Sequence, residues 1–469
     1  MPFICILNKK NRASSDAADI FPVEYDRLVK MLCPYKGQVR CTLLPHGKLY
    51  ISDLCDLSYD DNKNRFSRCL IPKNSHKTSQ SSWLEMVQEN EVLVFQTDPL
   101  GTFPLWYMQA EDYLIITSEV KSLSALKNLM PVELKSDTSM PPLNRAQYSP
   151  YKNIQRVTPG ATFRVDCSLN IFEQGESILN FSPETMHSSS ELCKAALADA
   201  LIASAKEKLC VTKEWGCFLS GGVDSSVCTS LLKRVGVDAL GAYTLESALG
   251  SECQEALETA HYLSVEHHSV LAQAEEIATH FKHVIFCNEI LDGLTAETLV
   301  QLSILSKAAA HHKKHIATGY GADLLFGSML QHTAYMAVAG VTDLKSLIER
   351  TFWSREFSPF FAWAHGVELY HLFWHPVVMN AAFQIPFSEN FLFSENDSGA
   401  QDKIILRQLA IEKNLLEHQH AFRKKNTITD GTRFNQLFSN MLGLSDPYAY
   451  AEKSQFCHVV LRDIFQEAL

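Results

Sequence analysis

The sequence has no apolar run of about 18 residues, the length that a membrane-spanning helix requires. It has no long block of Lys or Arg either, and its formal net charge of −11 argues against a nucleic-acid-binding surface. Its 13 cysteines are scattered, odd in number and never spaced as CxxC, which favours buried reduced thiols over disulfides or zinc. The short apolar start precedes Lys9, Lys10 and Arg12, the reverse of the order in a signal peptide. We therefore expect a cytoplasmic protein that binds neither membranes nor nucleic acids.

The chain of 469 residues is too long for one hydrophobic core, so two or three domains are expected. The segment 177–190 contains Pro183 and three consecutive serines, a composition typical of a linker. We place the boundary there, with one domain at 1–185 and a second at 186–469. In the first domain, short β-rich segments bounded by turn residues predict strands at 3–7, 48–51, 92–96, 105–108, 113–117 and 161–165.

The second domain is organised around the segment FLSGGVDSS at 218–226. An apolar segment precedes it and an apolar helix face follows it, so the predicted order is strand, small-residue turn, helix. Two glycines let the backbone approach a ligand, and the amides and dipole of the helix N-terminus attract anions. The Gly-Lys-Ser/Thr ending of the Walker loop is missing, so cleavage of the usual NTPase kind is not implied. We expect a phosphate-binding turn formed by Leu219, Ser220, Gly221, Gly222, Val223, Asp224, Ser225 and Ser226.

Strand and helix patterns alternate through the rest of the second domain, which predicts a doubly wound parallel α/β sheet. The part at 341–469 is helix-rich and is expected to pack across the sheet. Ligands of such sheets bind outside the carboxyl ends of the strands, where the turns near 220, 245 and 319 fall. The patterns predict strands at 239–245, 268–271, 284–286 and 315–318, and helices at about 253–263, 272–281 and 296–310.

The heptapeptide SGGVDSS resembles the pyrophosphate loop of ATP pyrophosphatases of the asparagine synthetase type. In the first domain, DPLGTFPLWY at 98–107, SEVKSL at 118–123 and RVTPG at 156–160 resemble the glutaminase half of asparagine synthetase. This resemblance implies an α+β sandwich of the N-terminal-nucleophile type. Such a glutaminase requires a cysteine directly after the initiator Met, whereas Pro2 stands there and Cys5 lies inside the first predicted strand. We therefore expect a scaffold without glutaminase activity, and an amine that arrives with the substrate.

The same resemblance implies that the second domain binds ATP and Mg²⁺. Aspartates at the positions of Asp224 and Asp323 hold Mg²⁺ in the family, and carboxylates combined with phosphates suit this ion. Either aspartate could also cap the helix that follows it. Matching family positions at the strand ends imply further nucleotide contacts for Leu219, Tyr243, Ser247 and Gly319.

The turn that contains Tyr320 separates two branches of this family. Asparagine synthetases carry glutamate at the matching position, whereas tyrosine resembles the β-lactam synthetase and carbapenam synthetase family, which uses a Tyr–Glu pair to deprotonate a tethered amine. A phenol titrates near pH 10, so it needs a hydrogen-bonded carboxylate to orient it and to accept the charge of its proton. Glu356, in a WSREF segment that resembles carbapenam synthetase, follows at about the family spacing. The rival Glu368 is interpreted as substrate-contacting or structural.

Lys425 lies in the segment FRKKNTITDG at 422–431, which resembles the Arg-x-Lys loop of the family. The resemblance implies that Lys425 stabilises the oxyanion and the leaving AMP. A basic triplet on a surface is usually solvated, so this role depends on the flanking match. Lys403 and Arg407 share a helix face at i, i+4 and match another family pattern, and we interpret both as structural.

The resemblance implies ATP- and Mg²⁺-dependent intramolecular amide formation, such as β-lactam formation, from a small-molecule β-amino acid substrate. The reaction would pass through an acyl-adenylate, release AMP and pyrophosphate, and serve antibiotic or toxin biosynthesis. The alternatives are an asparagine synthetase, a peptide macrolactam cyclase and a relative that only binds nucleotide. Pro2 and Tyr320 disfavour an asparagine synthetase, and Tyr320 also disfavours a peptide macrolactam cyclase. A relative that only binds nucleotide is disfavoured by the presence of Asp224, Asp323, Tyr320 and Lys425. The sequence does not decide the oligomeric state, and a homo-oligomer is compatible with it.

Overall fold

The structure is a computed structural model that describes residues 3–9, 21–32, 38–44, 46–52, 58–60, 65–67, 84–89, 91–135, 149–175, 190–209, 214–331, 343–391, 401–423 and 428–466. Within these ranges, the strands form two antiparallel sheets in the N-terminal part and one mostly parallel sheet in the C-terminal part. No helix of the described ranges is long and apolar enough to cross a bilayer. The linker predicted at 177–190 lies outside them, except for Ser190, where the helix Ser190–Leu209 begins.

Two antiparallel sheets form the N-terminal part, as the strand patterns predict. Their strands are β1 (Phe3–Asn8), β2 (Val39–Leu44), β3 (Gly47–Ser52), β4 (Ser58–Asp60), β5 (Arg65–Ser67), β6 (Leu84–Glu89), β7 (Val92–Thr97), β8 (Trp106–Gln109), β9 (Tyr113–Thr117), β10 (Gln155–Arg156), β11 (Ala161–Val165) and β12 (Ile171–Gly175). One sheet has the order β10-β8-β9-β1-β3-β2 and the other β12-β11-β7-β6-β5-β4. Their inner faces meet through Phe3 and Phe95, whose ring centroids lie 6.1 Å apart. The predicted sandwich is present, and its glutaminase-like character stays a prediction.

Cys5 lies inside β1, where it pairs with Leu49 on one side and Ile116 on the other. Its side chain is wholly buried, and burial raises the pKa of the thiol. A buried, protonated thiol in mid-strand has neither the free amine nor the thiolate of an N-terminal nucleophile. The predicted position of Cys5 inside the first strand is confirmed, and the lack of glutaminase activity stays a prediction.

The C-terminal part contains the parallel sheet that the sequence predicts. Its strands are β13 (Glu214–Phe218), β14 (Ala239–Ser247), β15 (Gly250–Ser251), β16 (Glu266–Ala272), β17 (His315–Thr318) and β18 (Glu368–His371). The parallel strands have the order β16-β14-β13-β17-β18, and β15 pairs antiparallel with the end of β14. From β13 the sheet continues through β14 to β16 on one side, and from β17 it continues to β18 on the other side. The gap between the carboxyl ends of β13 and β17 is therefore the topological switch point, where such sheets bind ligands.

The strand predicted at 284–286 is wrong, because these residues continue the helix Ala274–Asn288. The short apolar run at 284–286 resembles a strand when it is taken alone. However, Ile277, Phe281, Val284 and Ile285 are all buried, and their spacing follows the 3.6-residue period of one helix face. The sequence also gave no expectation of β18, which completes one edge of the sheet.

Helices cover both faces of the parallel sheet. Alternate residues of β13 point to opposite faces, so Cys217 belongs to one buried cluster and Phe218 to the other. The region from 341 onward is helix-rich, as predicted. The described α-helices are Tyr25–Leu32, Ser190–Leu209, Val223–Arg234, Cys253–Tyr262, Ala274–Asn288, Gly293–Ala309, Ala322–Leu325, Leu344–Ser354, Phe360–Ala364, Pro376–Ala382, Ile404–Glu412, His418–Ala421, Ile428–Gly431, Phe434–Met441 and Tyr450–Gln466.

A buried ion pair joins the last helix to the helix Gly293–Ala309. The Lys453 ammonium donates to a carboxylate oxygen of Glu297 and to the carbonyl oxygen of Pro447, and both charged side chains are wholly buried. Next to it, the Ser454 hydroxyl accepts from the amide of Gly293 at 2.9 Å. Removal of one partner would leave the other charge buried without compensation.

We therefore expect Lys453→Met to lower the free energy of unfolding by about 3–5 kcal/mol, because it strands the Glu297 carboxylate. Denaturant unfolding followed by circular dichroism measures this loss. Lys152→Met is the matched control, since the Lys152–Glu133 pair is solvent-exposed and should contribute less than about 1 kcal/mol. Equal losses in the two variants would contradict the assignment.

Candidate active site

Two glycine-bearing turns meet at the switch point, one after β13 and one after β17. A Cβ atom on Gly319 would lie 2.6 Å from the carbonyl carbon of Asp224 and from the amide nitrogen of Ser225. Gly221 has a φ of +76°, and a Cβ atom there would lie 2.7 Å from the backbone of Glu255. Both positions therefore require glycine, for close approach and, at Gly221, also for backbone conformation.

The turn after β13 has the predicted strand–turn–helix order, with the helix Val223–Arg234 beginning directly after Gly222. The Ser225 hydroxyl accepts from the amide of Ser220 at 3.1 Å and donates to the carbonyl oxygen of Gly222 at 3.2 Å. These bonds fix the turn, while Ser220, Gly222 and Asp224 keep partial exposure. The amides at the start of the helix are suited to bind an anion such as phosphate.

Three of the predicted phosphate-binding residues are wholly or almost wholly buried: Leu219, Val223 and Ser226. The Ser226 hydroxyl has no hydrogen-bond partner among the described residues and does not reach the surface of the turn. The Ser226 side chain is therefore not available to a ligand, although the sequence placed this residue in the phosphate-binding turn. Side chains at these positions pack under the turn, and the amides of Leu219 and Ser226 already donate to the carbonyl oxygens of Tyr243 and Gly222, both at 3.0 Å.

The two predicted metal ligands lie on either side of one lysine. The Lys403 ammonium is 2.5 Å from Oδ2 of Asp224 and 2.5 Å from Oδ1 of Asp323. Burial raises the pKa of Asp224 to about 6, although the charge of Lys403 opposes this shift. Burial would lower the pKa of Lys403, but the charges of Asp224, Asp323 and Asp402 hold it above its ordinary value.

Lys403 was interpreted from the sequence as a structural helix residue, and this interpretation is incomplete. It precedes the helix Ile404–Glu412 in a left-handed conformation, with a φ of 53°, and it reaches the carboxylates of the site. Its i, i+4 pattern with Arg407 was visible in the sequence, but nothing local indicates contact with residues 179 positions away. Arg407 donates to the carbonyl oxygen of Ala421 at 2.6 Å, in agreement with a structural role.

The carboxylates of Asp224 and Asp323 fit the requirements of Mg²⁺. The second oxygen of Asp224, Oδ1, is buried and has no hydrogen-bond partner among the described residues, so it is available as a ligand. The described residues contain no group of three or more His, Cys, Asp or Glu side chains that could hold a metal ion by themselves. Two carboxylates completed by phosphate oxygens and water are the ligand set that Mg²⁺ commonly takes.

Tyr243 does not provide the predicted nucleotide contact through its side chain. Its ring is buried in mid-sheet and stacks on His268 at 4.9 Å, with Gly216 and Gly241 beneath it. Only its carbonyl oxygen joins the loop, because it accepts from the amide of Leu219 at 3.0 Å. The side chain of a residue in mid-strand points to a face of the sheet and not to its carboxyl edge.

Ser247 lies at the carboxyl edge, as predicted, but its hydroxyl already has partners. It donates to the carbonyl oxygen of Thr432 at 2.6 Å and accepts from the amide of Leu249 at 3.0 Å. A Cβ atom on Gly250 would lie 2.6 Å from the carbonyl oxygen of Gly431. The segment around 431–432 is thereby held against this edge of the sheet.

Tyr320 and Glu356 lie in contact, with the tyrosine hydroxyl donating to Oε1 of the carboxylate. The tyrosine follows Gly319 in the turn after β17, and its amide donates to the Thr318 hydroxyl at 3.3 Å. Phe357 packs against the tyrosine ring with centroids 5.0 Å apart. The pairing that the family resemblance implied for these two residues is present, and its catalytic role stays a prediction.

Burial raises the pKa of Glu356, while the hydrogen bond from Tyr320 and the charge of Arg350 oppose that shift. Arg350 is itself buried and lies 3.3 Å from Oδ2 of Asp292. The Ser354 hydroxyl donates to the second oxygen of Glu356 at 3.4 Å. The carboxylate is therefore sheltered from water yet hydrogen-bonded, which suits a group that exchanges a proton with Tyr320.

The rival Glu368 lies at the opposite end of the sheet. It begins β18 and pairs in register with His315, the first residue of β17, whereas Tyr320 follows the last residue of that strand. Its carboxylate accepts from the indole of Trp363 at 3.0 Å. Glu368 is therefore a structural residue, which was one of the two interpretations left open.

Lys425 lies outside the described residues, so its predicted role stays a prediction. The flanking residues are described on both sides. Arg423 donates to the carbonyl oxygen of Glu255 at 2.8 Å, in the helix that backs Gly221. Thr432 accepts from Ser247, as described above.

Comparison with known proteins agrees with this geometry. Residues 196–357 match the family model of asparagine synthase. The matched stretch lies within the C-terminal part of the chain. It contains the phosphate-binding turn, both aspartates and the Tyr320–Glu356 pair, and it ends one residue after Glu356.

The chain is similar to several curated proteins at low identity. It is 26% identical over 366 residues to the glutamine-hydrolyzing asparagine synthetase of Cricetulus griseus, covering 73% of this chain and 61% of that protein. It is 26% identical to asparagine synthetase 1 of Bacillus subtilis, covering 51% of this chain and 38% of that protein. It is 22% identical over 390 residues to the carboxyethyl-arginine beta-lactam-synthase of Streptomyces clavuligerus, covering 81% and 70%. The chain thus spans less than two thirds of the length of both asparagine synthetases.

Among solved structures, the chain matches NMN synthetase from Francisella tularensis at a TM-score of 0.26 and 16% identity. That match covers 59% of this chain and 96% of the other. The NH3-dependent NAD synthetase from Campylobacter jejuni matches at the same TM-score and 13% identity, with 59% and 94% covered.

The contact between the two turns predicts the effect of a methyl group at Gly319. Gly319→Ala should displace the backbone of Asp224 and Ser225 at a cost of about 1–3 kcal/mol and weaken nucleotide binding by a comparable amount. Titration calorimetry with Mg²⁺ and a non-hydrolysable ATP analogue measures this effect. Gly175→Ala is the control, because a Cβ atom there makes only ordinary contacts of 3.5 Å or more. Unchanged affinity in Gly319→Ala would show that the nucleotide does not bind at this junction.

Proposed function

We propose that this chain catalyses ATP- and Mg²⁺-dependent amide formation within one small-molecule β-amino acid, giving a cyclic amide such as a β-lactam. The substrate carboxylate attacks the α phosphate of ATP, which forms an acyl-adenylate and releases pyrophosphate. The amine of the same molecule then attacks the acyl carbon and expels AMP. A role in antibiotic or toxin biosynthesis would follow from such a product.

The stretch that matches asparagine synthase supplies two groups of residues for these steps. The turn of Ser220 to Ser225 binds the pyrophosphate portion through its backbone amides, and Asp224 and Asp323 hold Mg²⁺. The metal ion would neutralise the charge that develops on the departing pyrophosphate. Lys403 keeps a positive charge beside both carboxylates, which offsets their mutual repulsion.

Tyr320 takes the proton from the attacking amine and passes its own proton to Glu356. A phenol alone is a poor base at neutral pH, but the buried carboxylate in contact with it stabilises the charge that forms. The substrate is bound with both reacting groups in one molecule, so closure is unimolecular and gains from orientation. Lys425 stabilises the oxyanion and the leaving AMP, as the sequence motif implies.

The Tyr320–Glu356 contact is the observation that supports a cyclic product most directly. Tyr320 directly follows Gly319, whose backbone touches the phosphate-binding turn. The Tyr320 hydroxyl in turn contacts the Glu356 carboxylate. A proton acceptor next to the turn that would bind the nucleotide suits an amine that is carried by the adenylated molecule itself. The similarity to carboxyethyl-arginine beta-lactam-synthase supports the same proposal.

An amide ligase of the asparagine synthetase type or a peptide macrolactam cyclase is the second candidate, supported by the similarity to asparagine synthetases. Incubation with ATP, Mg²⁺ and a panel of β-amino acids, with pyrophosphate and AMP as readouts, separates these proposals. Mass spectrometry of the product shows a loss of water for ring closure. Ammonia-dependent asparagine formation would support the alternative, and ADP with inorganic phosphate would exclude both.

Tyr320→Phe removes the hydroxyl that contacts Glu356 and leaves the ring in place. We expect ring closure to slow by about 10²–10⁴-fold, because general-base catalysis is lost, while adenylation persists. ATP–pyrophosphate exchange measures adenylation, and product formation measures closure. Lys425→Ala should give the same separation if this lysine acts on the acyl-transfer step.

Tyr25→Phe is a suitable control, since its hydroxyl donates to the carbonyl oxygen of Val39 in the N-terminal part. It should retain both activities. Full ring closure in Tyr320→Phe would refute the assigned role of the pair.

The pH dependence of closure follows from Glu356. Burial raises the pKa of this carboxyl, and the group acts only when ionised, so activity is lost as pH falls through that raised value. In a plot of closure rate against pH, the loss of activity on the acidic side should therefore occur above about pH 4.3, the ordinary pKa of glutamate. Glu356→Gln should remove this acidic loss and lower the rate. An acidic loss that persists in Glu356→Gln would assign the titration to another group.

A further inference from the structure

The helix Leu344–Ser354, which leads to Glu356, ends against the N-terminal part of the chain. The last carbonyl groups of a helix have no partner within it and carry the negative end of its dipole. The guanidinium of Arg156 donates to the carbonyl oxygen of Phe352 at 3.0 Å and to that of Trp353 at 2.5 Å. A residue of the N-terminal sandwich therefore caps this helix.

The side chain of Arg156 is fixed in position by the groups that surround it. Its side chain is wholly buried and lies between the rings of Trp106 and Trp353, at 5.4 and 5.1 Å from their centroids. It also donates to the carbonyl oxygen of Gly101 at 3.2 Å. A Cβ atom on Gly101 would lie 2.2 Å from the carbonyl oxygen of Phe352, so the two parts touch without free space.

Arg355, the residue that follows this helix, is held in place through Glu289. Arg355 has a left-handed φ of 63°, and its guanidinium donates to Oε2 of the buried Glu289. From the N-terminal part, the Tyr151 hydroxyl donates to the same oxygen at 3.4 Å and the amide of Lys121 donates to Oε1 at 2.8 Å. The side-chain amide of Asn288 donates to the carbonyl oxygen of Arg355 at 3.3 Å.

Glu356 follows Arg355 directly, so these contacts fix the backbone on which the carboxylate stands. We propose that the N-terminal sandwich is a positioning element for ring closure and that Arg156 is its principal positioning residue. The inference rests on the proposed role of Glu356. It assigns the sandwich a task that needs no nucleophilic cysteine, because it holds the Glu356 carboxylate within hydrogen-bond reach of Tyr320.

Arg156→Met tests this inference, because it keeps a long apolar side chain and removes the donors. Ring closure should slow by about 10²-fold, the effect of a misplacement near 1 Å, while ATP–pyrophosphate exchange stays unchanged. Amide hydrogen exchange in peptides covering 350–361 should accelerate about 10-fold, while exchange in 219–226 stays unchanged. Arg156→Lys should recover part of the closure rate, since one ammonium can still donate to the helix end.

Three further variants separate positioning from general destabilisation. Arg164→Met removes an exposed arginine of the same sandwich and should change neither readout. Tyr151→Phe keeps the ring that packs on Trp106 and loses the bond to Glu289, so it covers the case in which Arg156→Met does not fold. In a Glu356→Gln background, Arg156→Met should slow closure no further, because the two residues act on one step.

Unchanged hydrogen exchange at 350–361 in both Arg156→Met and Tyr151→Phe would overturn the inference. Equal slowing of adenylation and closure would overturn it as well, since this would indicate a general loss of structure. If the unaltered protein forms no cyclic product from any β-amino acid, the proposed function fails. Hydrogen exchange then still decides whether the sandwich holds the Glu356 segment.

Discussion

The backbone of Gly319 lies so close to the backbone of Asp224 and Ser225 that no side chain fits between the two turns. This contact occurs at the switch point between β13 and β17, the place where a doubly wound sheet opens toward a ligand. Because the turns touch, residues that are about 100 positions apart in the chain share one site. The positions of Asp224, Asp323 and Tyr320 relative to one another follow from this single approach.

Close approach concentrates negative charge, and the chain compensates with cations from a distant segment. Asp224 is largely shielded from water, which favours its neutral form, and the positive charge of Lys403, at the start of a different helix, opposes this effect. Glu356 is treated similarly, since Tyr320 and Arg350 offset the burial that raises its pKa. Each acidic group thus keeps a partner that stabilises its charge in a site sheltered from water. In such an environment, proton transfer between neighbouring groups requires little reorganisation of the surrounding dipoles.

Features carried by one local motif could be predicted from the sequence, and features that depend on packing could not. The turn after β13 and the Tyr320–Glu356 contact were anticipated, because a motif and a spacing specify them. Lys403 was misjudged, since its partners are contributed by other turns of the sheet. Tyr243 was misplaced, because a strand pattern does not show how far a side chain lies from the edge. The prediction of a strand at 284–286 was wrong for a related reason, because these residues belong to the buried face of a helix.

The junction between the N-terminal sandwich and the C-terminal part is held by buried charged groups from both. Glu289 and Arg355 form a buried ion pair, and removal of a partner from such a pair is strongly destabilising. Lys121 and Tyr151 supply two of the partners of Glu289 from the sandwich. Loss of the sandwich would leave the carbonyl groups that Arg156 binds, and part of the Glu289 carboxylate, without hydrogen bonds. The residue before Glu356 would then lose its fixed conformation, so the sandwich contributes to the geometry of the site.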